Sequence, residues 1–499
     1  MVHTSWYIGM TAALFAYTCS RVVYRLFFHP LVRFPGPKTV AASGLYEFYW
    51  DAIRQGQYFR QIDKMHQKYG PIVRIGPDEI HVNDPNLIPE IYAGPGNVRD
   101  KYELYINQFG IPNSSLATLS HDLHRSRRAA ISPFFSKRSV ARVESVIMGF
   151  SESLYRHIKT YLGTNQPVVL NDAFSCFATD VITEYAFSRT YGFLDRADFV
   201  PNLRIPLQGL MVSVHYLKHF PWVFSIMEML PDAFVEWLDP RVCQLLRMRK
   251  DIKSQVRALS SAESQTFNTK SHPTIFHELL NAEVPASEKH PDRLWQEGFL
   301  VIGAGTETTA AGGTRGSPSR SFGNSDDCKA RATALLDKYK IPRRPSYEML
   351  RLSYHAVIQE GLRLGLGVSS RLQRVSPYKA IRLGDWIVPR GTPVGMTSAL
   401  IHLNPDVFPN PHQFIPERWI ENPRLDDYLL SFSKGTRQCA GITLAYTELR
   451  IVLAMLNRRL DFELFSTTKK DVVLDHDLVT ANPAFESQGV RVLVKQTEY

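Results

Sequence analysis

The residues best suited to chemistry lie in one short stretch, Phe432-Ser-Lys-Gly-Thr-Arg-Gln-Cys439-Ala-Gly441. A single cysteine sits in a glycine-bounded loop, and Ile442-Thr-Leu-Ala-Tyr-Thr-Glu-Leu-Arg-Ile-Val-Leu continues with helical periodicity. A thiolate just ahead of a helix is stabilised by free backbone N–H groups and by the helix dipole. Gly435 permits a tight turn, and Gly441 lets a flat ligand lie close to the backbone. Phe432 is placed to cover the sulfur, and Arg437 to meet an anion. Such a thiolate makes a single axial ligand for haem iron, and thiolate ligation favours O–O cleavage. The competing reading is a buried structural cysteine. For a lone cysteine that reading is the stronger one.

Three further constellations carry polar chemistry. Pro291 to Ala311 reads as a helix enclosing Gly303-Ala-Gly-Thr-Glu-Thr-Thr309. Two glycines inside a helix cost about 1 kcal/mol each against alanine, so they need a reason. Room for a small molecule beside the backbone is one; a close contact between helices is the other. Tyr354-His-Ala-Val-Ile-Gln-Glu360-Gly-Leu-Arg363 puts Glu360 and Arg363 on one helix face, and Phe414-Ile-Pro-Glu-Arg418-Trp419 offers a second arginine. His124 and Arg128, four apart on an amphipathic stretch, share a face that a solvated basic surface would also explain.

Together these motifs resemble those of the cytochrome P450 monooxygenases, from the proline-rich segment near the N-terminus to the C-terminus. The resemblance implies a mainly α fold with small β-sheets (α+β), clamping haem b between a distal and a proximal helix. It implies Cys439 as axial ligand to the haem iron, with Phe432, Gly435, Arg437 and Gly441 shaping the loop. Arg128, Arg374 and His124 become propionate contacts, His124 standing where the family carries tryptophan. Thr308 would hydrogen-bond dioxygen, and Glu307 would help deliver protons. Glu360, Arg363 and Arg418 form a structural ion network, and Ala304, Val368, Ser369 and Ser370 line the substrate pocket. The implied reaction is hydroxylation or epoxidation of a small hydrophobic substrate, with electrons from NADPH through NADPH–cytochrome P450 reductase. The wording of the hinge, of Val368-Ser-Ser-Arg and of the cysteine loop is similar to fungal microsomal enzymes of secondary metabolism, including trichodiene oxygenase-like ones. By association, a terpenoid or polyketide substrate follows.

The elements that must position these residues can be read along the chain. With 499 residues, 44% of them hydrophobic, the chain is long enough for one large core. The net charge of +10 suits an anionic membrane surface or an acidic partner. No basic run with interleaved aromatics points to nucleic acid. Cys19, Cys176, Cys243, Cys328 and Cys439 show neither disulfide-framework nor zinc spacing. Residues 4–20 are uncharged and precede Arg21, Arg25 and Arg33. They predict a single-pass N-terminal anchor in the endoplasmic reticulum membrane, with the rest cytosolic. Residues 21–45 form a basic, proline-rich hinge, and 46–499 the catalytic domain.

A helix is expected over 58–69, a hairpin over 71–83, a loop-rich segment over 94–118, and a helix containing Phe174 and Phe177 with Asn171 as N-cap. Residues 201–239 are apolar and aromatic, a lid facing the membrane in part or plain core. Residues 312–340 break the pattern: glycine-, serine- and arginine-rich, they predict that the Pro291 helix ends early at Gly312, Gly313, Gly316 and Pro318. A foreign segment there leaves open a catalytically defective or non-catalytic haem-binding product. A haem-thiolate isomerase or dehydratase is the other alternative; it would keep Cys439 without NADPH, and Thr308 and Glu307 argue against it.

Overall fold

The computed structural model describes residues 2–200, 202–260, 274–316 and 355–496. Helices dominate. They are α1 (Val2–Val23), α2 (Tyr58–Tyr69), α3 (His121–Ile131), α4 (Glu144–Lys159), α5 (Leu170–Phe187) and α6 (Arg204–Leu217). There follow α7 (Trp222–Met229), α8 (Asp232–Leu238), α9 (Pro240–Ser260), α10 (Pro291–Gly316), α11 (His355–Gly365) and α12 (Ile442–Arg459). The main sheet has β1 (Ile72–Arg74), β2 (Ile80–Val82), β3 (Asp100–Lys101), β4 (Arg374–Val375) and β5 (Pro393–Gly395), in the order β1-β2-β5-β4-β3.

The largest core forms where α4, α5, α9, α10 and α12 meet. Ile147, Leu154, Phe174, Phe177, Ile182, Ile252, Leu294, Ile302 and Leu453 are all buried in it. Burying apolar surface at about 25 cal/mol per Å² is what holds α10 through the middle of the molecule. Pro291 opens α10, where its missing N–H costs nothing, and Asp292 favours the positive helix end.

The expected helix over 58–69 and hairpin over 71–83 form. Two expectations are corrected. Asn171 does not cap α5: the helix begins at Leu170, and Asn171 Oδ1 instead accepts from Val490 N–H at 2.7 Å. The proline-rich segment docks on the body of the protein: Leu31 and Phe34 are buried, Phe34 stacks on Trp386, and Arg33 donates to Ile387 O at 2.8 Å. Finally, α10 passes through Gly312 and Gly313 to Gly316. A Cβ at Gly313 would strike the buried Phe174 ring at 2.5 Å, so this glycine serves a close α5–α10 contact rather than a helix stop. The rest of the 312–340 stretch, from 317 on, lies outside the described residues.

No described helix is long and apolar enough to cross a membrane. Trp6 and Phe15 of α1, Phe28 just beyond it, Met229 of α7 and Trp237 of α8 are nevertheless largely exposed.

Candidate active site

The cysteine loop is folded by its own backbone. Cys439 N–H donates to Phe432 O at 2.9 Å, and Ser433 N–H to Leu430 O at 2.8 Å. Gly435 adopts φ 71°, and any side chain there would strike the carbonyls of Tyr92 and Ala93. Phe432 packs on Tyr446, ring centroids 5.4 Å apart. Cys439 is exposed although protein surrounds it on almost every side, so the thiol opens into an internal cleft. Burial raises its pKa; the Gly441 N–H and the Arg128 guanidinium pull it down. Over Gly441 the protein leaves open space, since a Cβ would meet only Phe135 Cε1, at 3.9 Å. Nothing in the polypeptide itself demands glycine there, whereas a flat ligand beside the backbone would.

Five cationic or potentially cationic groups converge beside this loop. Lys101 and Arg374 lie directly opposite each other in the β3–β4 register. Like charges so placed are unfavourable without a counter-ion. Burial, then Arg374 and Arg437, press the Lys101 ammonium down to about 7. Burial, then Arg437, Lys101, Arg128 and Arg374, press His124 down to about 3. Arg437 spends two nitrogens on Thr118 O (2.6 Å) and Leu119 O (2.7 Å). Its buried Nε has no hydrogen-bond partner among the described residues. Arg374 reaches Ser433 Oγ at 3.1 Å and Arg128 reaches Cys439 O at 3.1 Å, tying both to the loop. Such a cluster fits a ligand carrying two carboxylates, and haem carries two propionates. Lys101 was not legible in the sequence, because only the pairing of β3 with the distant β4 brings it beside Arg374.

One face of α10 is open. Ala304 and Thr308, one turn apart, are exposed; Glu307 is half-buried, and Thr306 and Thr309 are buried. The Thr308 hydroxyl donates to Ala304 O at 2.8 Å. Of the two reasons open for these glycines, Gly305 shows the helix contact, since a Cβ there would lie 2.7 Å from Ile182 Cγ1, whereas at Gly303 a Cβ would meet only Leu207 Cδ2, at 3.7 Å. The open positions are Ala304 and Thr308.

Behind the loop, the ion network forms as expected. Glu360 and Arg363 are 0% exposed and joined through two 2.8 Å hydrogen bonds, from Arg363 Nε and Nη2. Glu360 also accepts from Ile415 N–H and Trp419 Nε1–H, each at 2.9 Å, and Arg418 Nε stands 3.3 Å away. The sequence reading missed His402, whose pKa burial and then Arg363 lower to about 3. Its Nδ1 contacts Arg363 O at 3.1 Å, and its Nε2 accepts from Leu430 N–H at 2.8 Å. Ser431 Oγ donates to Leu362 O at 2.8 Å. Through these two links α11 grips the strand of chain entering the cysteine loop.

The expected pocket wall is half corrected. Val368 is partly open, but Ser369 and Ser370 are buried, with their hydroxyls on Asp477 Oδ1 at 2.7 and 3.3 Å. Asp477, on the short strand His476–Leu478, consumes them.

The sequence profile of the family described as Cytochrome P450 matches residues 41–314 and 342–487. Among curated relatives, the chain is 41% identical to "Cytochrome P450 monooxygenase MO6277" of Ascocoryne sarcoides, over 97% of both chains. It is 37% identical to "Tryptophan 6-hydroxylase fscE" of Fusarium equiseti, over 98% of this chain and 97% of that one. It is also 37% identical to "Conidiogenone synthase PchP450" of Penicillium rubens, over 97% and 98% respectively.

Proposed function

The chain belongs to the cytochrome P450 family and is a monooxygenase, and we propose that Cys439 is its axial thiolate and that it oxidises a small hydrophobic secondary metabolite. The single observation that carries the site assignment is the convergence of Lys101, Arg128, Arg374 and Arg437, with the neutral His124, beside a thiol that opens into a cleft. Bound there, haem supplies the activation of dioxygen, with electrons delivered by a reductase. The chain's own residues do the rest. Lys101, Arg374 and Arg437 neutralise the two propionates, and His124 adds a hydrogen bond. The Gly441 N–H and Arg128 offset part of the cost that burial puts on negative charge at the sulfur. Thr308, on the open face of α10, passes protons toward the cleft, and Glu307 restores them. Ala304 and Val368 supply apolar wall. Glu360, Arg363, Arg418 and His402 keep the loop rigid from behind.

The finer reading is a terpenoid or polyketide substrate in a trichodiene oxygenase-like role. The Val368-Ser-Ser-Arg wording supports it. We also assign α1 to attachment at the endoplasmic reticulum membrane, because its aromatic side chains are exposed, Arg21 lies in its last turn and Arg25 follows it. Release of the protein by carbonate washing would refute that attachment.

The test of the site is the ferrous carbonyl spectrum. A thiolate-type Soret band is expected in the native chain and its loss in Cys439→Ala; a variant that keeps both haem and band refutes the assignment. A second reading, a haem-binding product with impaired turnover, is favoured by one observation: the family profile leaves residues 315–341 unmatched. Replacing that interval with a helical sequence of apolar periodicity and comparing haem content and turnover separates the two.

A further inference from the structure

Glu448 is a carboxyl group that the chemistry above does not use. It sits on α12, 2% exposed, where that helix packs against α10. Its hydrogen-bond partner is the hydroxyl of Thr309, itself 5% exposed. One turn further along α10, a Cβ at Gly312 would meet Leu449 Cδ1 at 3.3 Å and Leu362 Cδ2 at 3.7 Å. Glu448 and Leu449 therefore sit against a shallow stretch of α10 made by Thr309 and Gly312. Successive residues of a helix point about 100° apart. With Thr309 turned to α12, its neighbour Thr308 must point elsewhere, and it lies on the open face above Ala304.

A buried carboxylate without a cation is expensive, and among the described residues only Thr309 acts on this one against its burial. Arg450, on the same helix, lies 5.1 Å over the Tyr446 ring and 3.4 Å from His355 Nδ1. Burial pushes the Glu448 carboxyl up to about 8, with Thr309 pulling it back, so it is neutral at pH 7. A neutral acid at an apolar helix contact contributes register rather than charge.

We propose that Glu448 is a positioning residue: through Thr309 it fixes the rotation of α10 about its axis, and so decides that Ala304 and Thr308 are what that helix presents to the haem. This rests on the reading that haem binds over Cys439 along the open face of α10.

The test uses the ferric, haem-loaded protein titrated with pyridine, whose affinity and difference spectrum report the distal face without any substrate. Glu448→Gln, a neutral isostere, should bind pyridine as the native protein does at about pH 7 and hold that affinity at about pH 9. The native protein should weaken about threefold over the same interval as its carboxyl ionises. Glu448→Ala and Thr309→Val should differ from native at both pH values. Native-like titrations in both of these variants overturn the proposal. If Glu448→Ala fails to hold haem, the comparison of native with Glu448→Gln decides, and parallel pH dependence overturns it. Absence of a thiolate-type carbonyl band in the native chain would be the failure of the haem reading instead. The cofactor-free protein then still discriminates: the melting temperature of Glu448→Gln should gain on the native value as pH rises from about 5 to about 8, and the gap should level off above that. Equal slopes overturn the proposal.

Discussion

Replacing Glu360 with glutamine removes one charge from the centre of the network behind the cysteine loop. Glu360 accepts two 2.8 Å bonds from Arg363 and two 2.9 Å bonds, from Ile415 N–H and Trp419 Nε1–H. In Glu360→Gln one oxygen becomes an NH₂ that faces donors, and the Arg363 guanidinium stays fully buried without a counter-charge. Arg363 keeps its bonds to the carbonyls of His402, Pro411 and Gln413, at 2.8, 2.7 and 3.1 Å, so it cannot swing out to water cheaply. Breaking one partner of a buried pair costs about 3–5 kcal/mol, a large share of a net stability of about 5–15 kcal/mol. A built-in control exists. Arg459 and Glu152 lie 2.7 Å apart, but their side chains are 38% and 42% exposed. Glu152→Gln should cost about 0–1 kcal/mol. Urea unfolding of the haem-loaded protein, followed by Soret absorbance and far-UV circular dichroism, measures both. If the two variants lose similar stability, burial is not what gives the network its strength, and the reasoning fails.

Other expectations follow from the same geometry. Thr308→Ala should leave NADPH oxidation running while product falls and peroxide rises, measured in a reductase-reconstituted assay once a substrate is known; unchanged coupling would make Thr308 a packing residue. For Lys101, the folded pKa of about 7 lies below the ordinary 10.5. The folded, cofactor-free chain therefore binds fewer protons than the unfolded one between these values, and the penalty on folding is relieved as pH rises through them. Cofactor-free Lys101→Met should accordingly melt higher than native below about pH 7, with the gap closing toward about pH 10, yet release haem faster when loaded; haem dissociation into apomyoglobin tests the second half. Gly313→Ala should destabilise by about 1–3 kcal/mol because its Cβ overlaps the buried Phe174 ring, even though alanine is the better helix former by about 1 kcal/mol. A more stable Gly313→Ala protein would show that the α5–α10 contact gives way.

The parts of the site that were legible in the sequence are those whose chemistry is local. The Cys439 loop and the Glu360–Arg363 pair are set by one tight loop and one helical turn, whereas Ala304 and Thr308 are pointed to by the family resemblance. What stayed hidden depends on pairings between distant segments. Lys101 gains meaning only opposite Arg374, His402 only between Arg363 and Leu430, and Glu448 only against Thr309. The glycines teach the same point with opposite sign. Read along the chain, Gly312 and Gly313 are helix breakers, and Gly305 fits either space for a small molecule or a close contact between helices. In the folded protein Gly305 and Gly313 are the places where α5 comes too close for a Cβ, and Gly312 lies against Leu449 and Leu362. Propensity of about 1 kcal/mol per glycine is overridden because a helix threaded through the core is held by its neighbours on several sides. The serines at 369 and 370 follow suit: their types fit a pocket wall, but Asp477, more than a hundred positions away in the chain, takes both hydroxyls. Near the cysteine loop, polar side chains are claimed first by buried partners, while Cys439, Ala304 and Thr308 stay exposed and Val368 partly open.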